Sequence, residues 1–275
     1  MVHISELDTG SAEPAIVQQC LGDGTSKAPT RYLVDEVLLR RNWSLHRHVH
    51  LVRAFEQALT MGGIDTALSI GCGAGLSELF LAARHPDISF RLTDFDEHRL
   101  DIGRTRCRDL HIDNVTFGSV DLLEDVEGGD RYDWVSSIEV LEHIDDDGVA
   151  ARHQVELSDR WFWILVPQCS ADDLADRRKI QRAWEHCGHH RPGYTAETLV
   201  DAIGADVEIE WLRSCYLMPS ASSLRGEMKE TPDQDLLLHR TELVEAACAD
   251  LECPAAVPGD GIEVLGRVTR PSPTT

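Results

Sequence analysis

From Ala67 onward the chain alternates short apolar runs with longer stretches of mixed apolar and charged residues, and this rhythm restricts the fold more than any other feature. ALSI, SFRLTDF, VTFGSV, YDWVSSI and WFWILVP have the length and the β-branched and aromatic content of strands. GLSELFLAARH, EHRLDIGRTRCRDL and TAETLVDAI have the length and apolar spacing of helices. Strand, loop and helix repeated in that order predict a mostly parallel sheet covered on both faces. Further on, VEIEWL reads as a strand, DLLLHRTELVEAACADL as a helix and GIEVLGRV as a last strand after a Pro/Gly turn. The expected class is α/β: a Rossmann-like, mostly parallel seven-stranded sheet whose last strand enters antiparallel, with an N-terminal helical lid.

A chain of 275 residues supports one sizeable core and not two. Residues 1–29 are polar and small, and LGDGTSKAP reads as a loop. Tyr32 to Leu59 reads as an interrupted helix placed before the core, either roofing a ligand cleft or packing on the sheet edge. The expected division is an extension and lid over 1–60, one domain over 61–270 and a tail over 271–275. Tyr32 and Trp43 are the lid residues best suited to touch a substrate.

ALSIGCGAG sets Gly71, Gly73 and Gly75 at alternate positions between a strand and a helix. Glycine accepts positive φ and has no Cβ, so the backbone can approach a ligand closely. The free N–H groups of the helix start favour a carboxylate or phosphate there; an ordinary tight turn uses glycine as well. The next strand ends in Asp94, whose carboxylate suits vicinal ribose hydroxyls but also suits plain capping. Asp96 reads as the cap of EHRLDIG. After the third strand, Asp121 and Leu122 suit an adenine amine and its ring, or a solvated turn beside a core leucine.

With YDWVSSIEVLEHI following these phrases, the sequence resembles the class I S-adenosylmethionine-dependent methyltransferases, in particular their broad small-molecule branch, from about Ala67 through Val268. The resemblance implies that Gly71, Gly73 and Gly75 contact the methionyl part of the cofactor, and that Asp94 with neighbouring Phe95 takes the ribose side. It further implies that Asp121 and Leu122 contact adenine and that Glu139 lies beside the cofactor. The family carries an acid two positions before the first glycine, where this chain has Ser69. A hydroxyl does not replace a charge-assisted hydrogen bond, so contact at the methionyl end departs from the family pattern. A dinucleotide-binding oxidoreductase would require GxGxxG, which GCGAGLSEL lacks.

On the acceptor side, Glu139, Glu142 and His143 share one face if EVLEH opens a helix. His143 suits a proton acceptor, since imidazole changes charge near neutral pH, or a polar interior position. A second group, His186, His189, His190, Arg191 and Tyr194, lies in WEHCGHHRPGYT. His189 or His190 can supply a base, Arg191 an anion clamp and Tyr194 an aromatic wall; a plain surface loop accounts for any one of the histidines equally well. Thr195 reads as the cap of the following helix. EVLEH with HHRPGYT also resembles the metal-dependent small-RNA 3′-terminal 2′-O-methyltransferases, which implies a divalent metal on Glu139, Glu142, His143 and His190. That family's pattern has a tryptophan where this chain has Tyr194.

A formal net charge of −22 works against a chain that tracks a phosphate backbone. The eight cysteines contain no CxxC pair, which supports neither a disulfide scaffold nor a thiolate zinc site. The sequence has no long apolar run and no basic, apolar leader, so a cytoplasmic protein with no membrane contact is expected. The expected reaction is in-line methyl transfer from S-adenosylmethionine to a small-molecule acceptor, oxygen before nitrogen, with no nucleic-acid partner and no metal. Binding of S-adenosylmethionine without turnover is the alternative outside enzymology, and oligomeric state is left open.

Overall fold

The computed structural model describes residues 15–22, 29–39, 44–124, 129–215, 237–248, 251 and 259–269. Trp43, residues 1–14 and the tail 271–275 lie outside these, and with them the expectations placed there.

Three helices come first, α1 (Ala15–Leu21), α2 (Pro29–Leu39) and α3 (Ser44–Met61). Within the polar, small stretch 1–29 the sequence shows no sign of a helix, yet AIVQQCL forms α1 and buries Val17 and Cys20. The core then runs β1 (Thr66–Ile70), α4 (Leu76–Arg84), β2 (Ser89–Thr93), α5 (Glu97–Leu110), β3 (Val115–Gly118) and β4 (Tyr132–Ile138). It continues through α6 (Asp147–Glu156), β5 (Ser158–Pro167), α7 (Ala171–Ala175), α8 (Arg177–Cys187), α9 (Ala196–Ile203) and β6 (Val207–Cys215). Last come α10 (Arg240–Cys248) and β7 (Gly261–Val268).

The seven strands form one sheet in the order β3-β2-β1-β4-β5-β7-β6. All pairings are parallel except those of β7, which runs antiparallel to both β5 and β6. The order reverses between β1 and β4, so the loops after these two strands diverge to opposite faces and open a crevice at their carboxyl ends. Trp161 and Trp163 face one side of the sheet and Phe162 the other, as strand alternation requires. The first side is covered by α1 to α4 and α10, the second by α6 and α9.

Helix ends follow local chemistry. Asp96 caps α5 by accepting from the N–H groups of His98 and Arg99, and Thr195 caps α9 by accepting from Thr198 N–H. The N-terminal helices are tied to the core by buried polar contacts. His48 of α3 donates from Nε2 to the Cys20 carbonyl at 3.1 Å, which leaves Nδ1 to accept from Ser77 Oγ at 3.1 Å. His50 meets the fully buried Glu263 of β7 at 2.9 Å, and Trp163 Nε1 donates to the same carboxylate at 3.0 Å. Among the described residues, no helix is long and apolar enough to cross a membrane. The described cysteines are free thiols.

Candidate active site

The glycine turn fills the crevice side of β1. Gly71, Gly73 and Gly75 all have positive φ, at 69°, 59° and 66°. At Gly71 a Cβ would lie 2.4 Å from Val140 Cγ2, so this position needs glycine for space as well as for backbone angle. At Gly73 a Cβ would make only ordinary contact with the Arg99 side chain, at 3.6 Å, and the angle alone decides. Gly75 ends the turn at the start of α4, whose first residues, Leu76 to Glu78, line the cleft.

The cleft is lined by Ser69 and the whole turn from Ile70 to Gly75, by Ser77 and Glu78 of α4, and by Arg99 of α5. Val37, Ser44 and Arg47 close it from α2 and α3. Asp94, past the end of β2, accepts Gly73 N–H at 2.7 Å on Oδ2 and Asp96 N–H at 2.9 Å on Oδ1. Phe95 beside it is an almost fully exposed aromatic, 97 % accessible. Asp121 is exposed and accepts from Leu123 N–H in its own turn, while Leu122 is buried and its carbonyl meets His153. Glu78 is buried and bonded by Ser69 Oγ at 3.0 Å; burial raises its carboxyl to about 7, with the Asp94 charge adding to the shift. Sequence reasoning passed over Glu78, although an acid three residues after Gly75 was its available signal.

After β4 the backbone does not enter a helix. Glu139 takes a left-handed φ of 51°, and Leu141–His143 form a single 3-10 turn. The expected helical face therefore gives way to a divergent arrangement. Glu139 turns to Arg47 of α3, which donates to both of its carboxylate oxygens. Glu142 points inward, fully buried, with neither carboxyl oxygen hydrogen-bonded among the described residues; burial first, then the Glu139 charge, raises it to about 8. His143 packs edge-on against His189, ring centres 4.5 Å apart. Ligating atoms of Glu142, His143 and His189 lie within 4.8 Å of one another. Burial, and then His143, lowers the His189 imidazole to about 4.

The other residues of the second group go elsewhere. His190 pairs with Asp145 at 3.2 Å and stacks edge-on with Trp184, while its backbone N–H donates to the Glu142 carbonyl at 2.8 Å. Arg191 and Tyr194 both bind Asp147 at the start of α6, the Tyr194 hydroxyl at 2.7 Å, with the guanidinium 3.9 Å above the Tyr194 ring. Tyr194 is fully buried. This lock fixes the segment that presents His189. Tyr32 gives its hydroxyl to Glu36, itself paired with Arg106 of α5, and does not line the glycine-turn cleft.

Residues 68–157 match the family model described as a methyltransferase domain. Solved structures share the fold. One is a protein from Galdieria sulphuraria provisionally described as a sarcosine dimethylglycine methyltransferase, with TM-score 0.59 and 15% identity over 83% of this chain and 86% of that one. Another is the N-methyltransferase NodS from Bradyrhizobium japonicum WM9 in complex with S-adenosyl-L-homocysteine, with TM-score 0.51 and 16% identity over 88% of this chain and 100% of that one. A third is the [4+2]-cyclase SpnF, with TM-score 0.52 and 18% identity over 78% of this chain and 80% of that one. A comparison of the sequence with curated proteins finds no match. The match to a methyltransferase-domain model is thus confined to residues 68–157, while the likeness to these solved structures is one of fold over most of the chain.

Proposed function

We propose that the protein is a class I S-adenosylmethionine-dependent methyltransferase that acts on a hydroxyl oxygen of a small molecule, with the acceptor seated against Glu142, His143 and His189. The donor then lies along the carboxyl edge of the sheet: methionyl end at the glycine turn, ribose at Asp94, adenine between Phe95 and Leu122. Asp94 supports the ribose assignment because its two bonded oxygens each keep a lone pair for a hydroxyl. Helices α2 and α3 serve as the lid, since Val37, Ser44 and Arg47 close the methionyl end and Arg47 grips Glu139 at the turn between the two subsites.

The observation that carries the acceptor reading is Glu142, a fully buried acid whose side-chain oxygens have no hydrogen-bond partner among the described residues, beside two imidazoles. Burial keeps its carboxyl protonated near neutral pH, and a buried polar group without a partner is still costly and calls for a ligand group or cation. Transfer itself is an in-line attack on the sulfonium methyl: the oxygen–carbon bond forms as the carbon–sulfur bond breaks, and the hydroxyl proton must leave. His143 is the proton acceptor in this reading. His189 at about 4 is too weak a base for that step and orients its neighbour.

A second reading is favoured by the same group. One carboxylate and two imidazoles fit a divalent cation of the zinc type, with Glu142, His143 and His189 as ligands. Such an ion would lower the pKa of a hydroxyl placed on it. The set differs from the one implied by the RNA-methyltransferase resemblance, since Glu139 is held by Arg47 and His190 by Asp145. The net charge of −22 favours a small molecule over an RNA end.

Incubation with methyl-labelled S-adenosylmethionine and matched panels of phenols, alcohols, amines and short RNAs tests the proposal. Label appearing on amines or RNA alone rejects the hydroxyl reading. Label on nothing while the cofactor binds supports a binding module. Loss of activity on exhaustive chelation, restored by divalent ions and accompanied by loss of bound metal in Glu142→Gln, decides for the cation; unchanged activity decides against it.

A further inference from the structure

We propose that Glu78 of α4 holds the α-ammonium group of the donor's methionyl end, supplying from the helix the carboxylate that the strand lacks at Ser69. The proposal rests on the S-adenosylmethionine reading of this cleft.

Ser69 brings no charge, but its hydroxyl donates to Glu78 Oε1 at 3.0 Å and so steers that carboxylate toward the crevice end of β1. Glu78 is the one acidic residue among the described residues lining the cleft. Its neighbours there suit the rest of a zwitterion. The first N–H groups of α4 and the cationic side chains of Arg47 and Arg99 are suited to a carboxylate. In an amino acid the carboxylate and ammonium share one carbon, so a carboxylate bound at the first turn of α4 leaves its ammonium within a few ångströms of the same turn. Glu78 is the third residue of that helix. Buried, with the Ser69 hydroxyl as its hydrogen-bond partner, it has no ion pair among the described residues, whereas a carboxylate taken out of water needs a cation.

The groups facing Glu78 leave its ionisation to the ligand. Asp94 at the end of β2 disfavours the charge, and the Cys72 thiol, itself pushed well up by burial and by Glu78, stays protonated. His48 of α3 is neutral, lowered to about 4 by burial, and the guanidinium groups of Arg47 and Arg99 line the cleft wall. With Glu78 near 7, an arriving ammonium draws it to the ionised form, and a proton is released.

Calorimetry with the full chain tests this using three ligands: S-adenosylhomocysteine, the same molecule without its amino group, and methylthioadenosine. Glu78→Gln should weaken S-adenosylhomocysteine roughly tenfold to a hundredfold, the worth of a charge-assisted hydrogen bond. It should leave the deaminated analogue and methylthioadenosine within about threefold of wild type, which also shows that the variant is folded. Equal affinity of wild type and variant for S-adenosylhomocysteine overturns the proposal, as does an equal loss for all three ligands. Failure of the wild type to bind any of them overturns the donor reading itself. If Glu78→Gln does not fold, the wild type decides alone. In buffers of different ionisation enthalpy near pH 7, S-adenosylhomocysteine should release a fraction of a proton and the deaminated analogue none, and identical proton balance for both overturns the assignment.

Discussion

At Asp94 both carboxylate oxygens accept from the backbone, Oδ2 from Gly73 N–H and Oδ1 from Asp96 N–H. The side chain therefore shapes the glycine turn, and in the proposed donor site its remaining lone pairs would meet the ribose. Asp94→Asn keeps the size and one acceptor oxygen, but it loses the charge and turns an NH2 donor toward the N–H of Gly73 or Asp96. Cofactor affinity should fall about tenfold or more, with a lowered unfolding midpoint; undiminished affinity removes Asp94 from the ribose site. Gly71 makes the complementary case for backbone. Alanine there must hold a φ of 69° and sit 2.4 Å from Val140 Cγ2. The angle alone costs about 1–2 kcal/mol, and the clash adds to it. Urea unfolding of Gly71→Ala, Val140→Ala and the double variant should show the double destabilised by less than the sum; strict additivity would mean the contact is relieved elsewhere.

Among the elements, α3 is held to the sheet by charge taken out of water. Glu263 of β7 is fully buried and meets His50 at 2.9 Å, Arg213 at 3.7 Å and Arg53 at 4.0 Å, besides the Trp163 indole. Glu263→Ala leaves these donors facing a cavity, and a loss of about 3–5 kcal/mol in denaturant unfolding is expected. A loss below about 1 kcal/mol would show that water replaces the carboxylate. This tie has no sequence signature, because His50 and Glu263 are far apart in the chain and each is unremarkable locally. The strands were legible for the opposite reason. YDWVSSI and GIEVLGRV carry their apolar content in consecutive residues, and both form strands with the boundaries those phrases suggest. α6 and α8 went unread: α6 begins in an acidic run, and α8 buries none of its residues. The site turn shows the limit most clearly. EVLEH has helical spacing, yet tertiary contacts hold Glu139 left-handed and send it to Arg47, while Glu142 goes inward. Spacing could bring acids and histidines into one neighbourhood, but the choice of His189 over His190 depended on the lock of Arg191 and Tyr194 onto Asp147.

For the whole molecule, a net charge of −22 makes stability fall as pH rises through general self-repulsion, so a single buried acid is visible only by difference. Glu78 supplies such a difference. Its folded value of about 7 lies above the usual 4.5, so the folded state binds the proton more tightly than the unfolded chain does. The sign follows: Glu78 destabilises little below pH 4.5, its cost grows as pH rises from there toward 7, and it is complete above that. At about 1.4 kcal/mol per unit, the full effect is on the order of 3 kcal/mol. Unfolding free energies of wild type and Glu78→Gln should therefore converge near pH 4.5 and separate as pH rises to 8, with the variant the more stable. Saturating S-adenosylhomocysteine should narrow or invert that gap at pH 8, because its ammonium stabilises the wild-type carboxylate and has no charge to meet in the variant. A pH-independent difference between the two proteins would show that the Glu78 carboxyl titrates alike in the folded and unfolded chain.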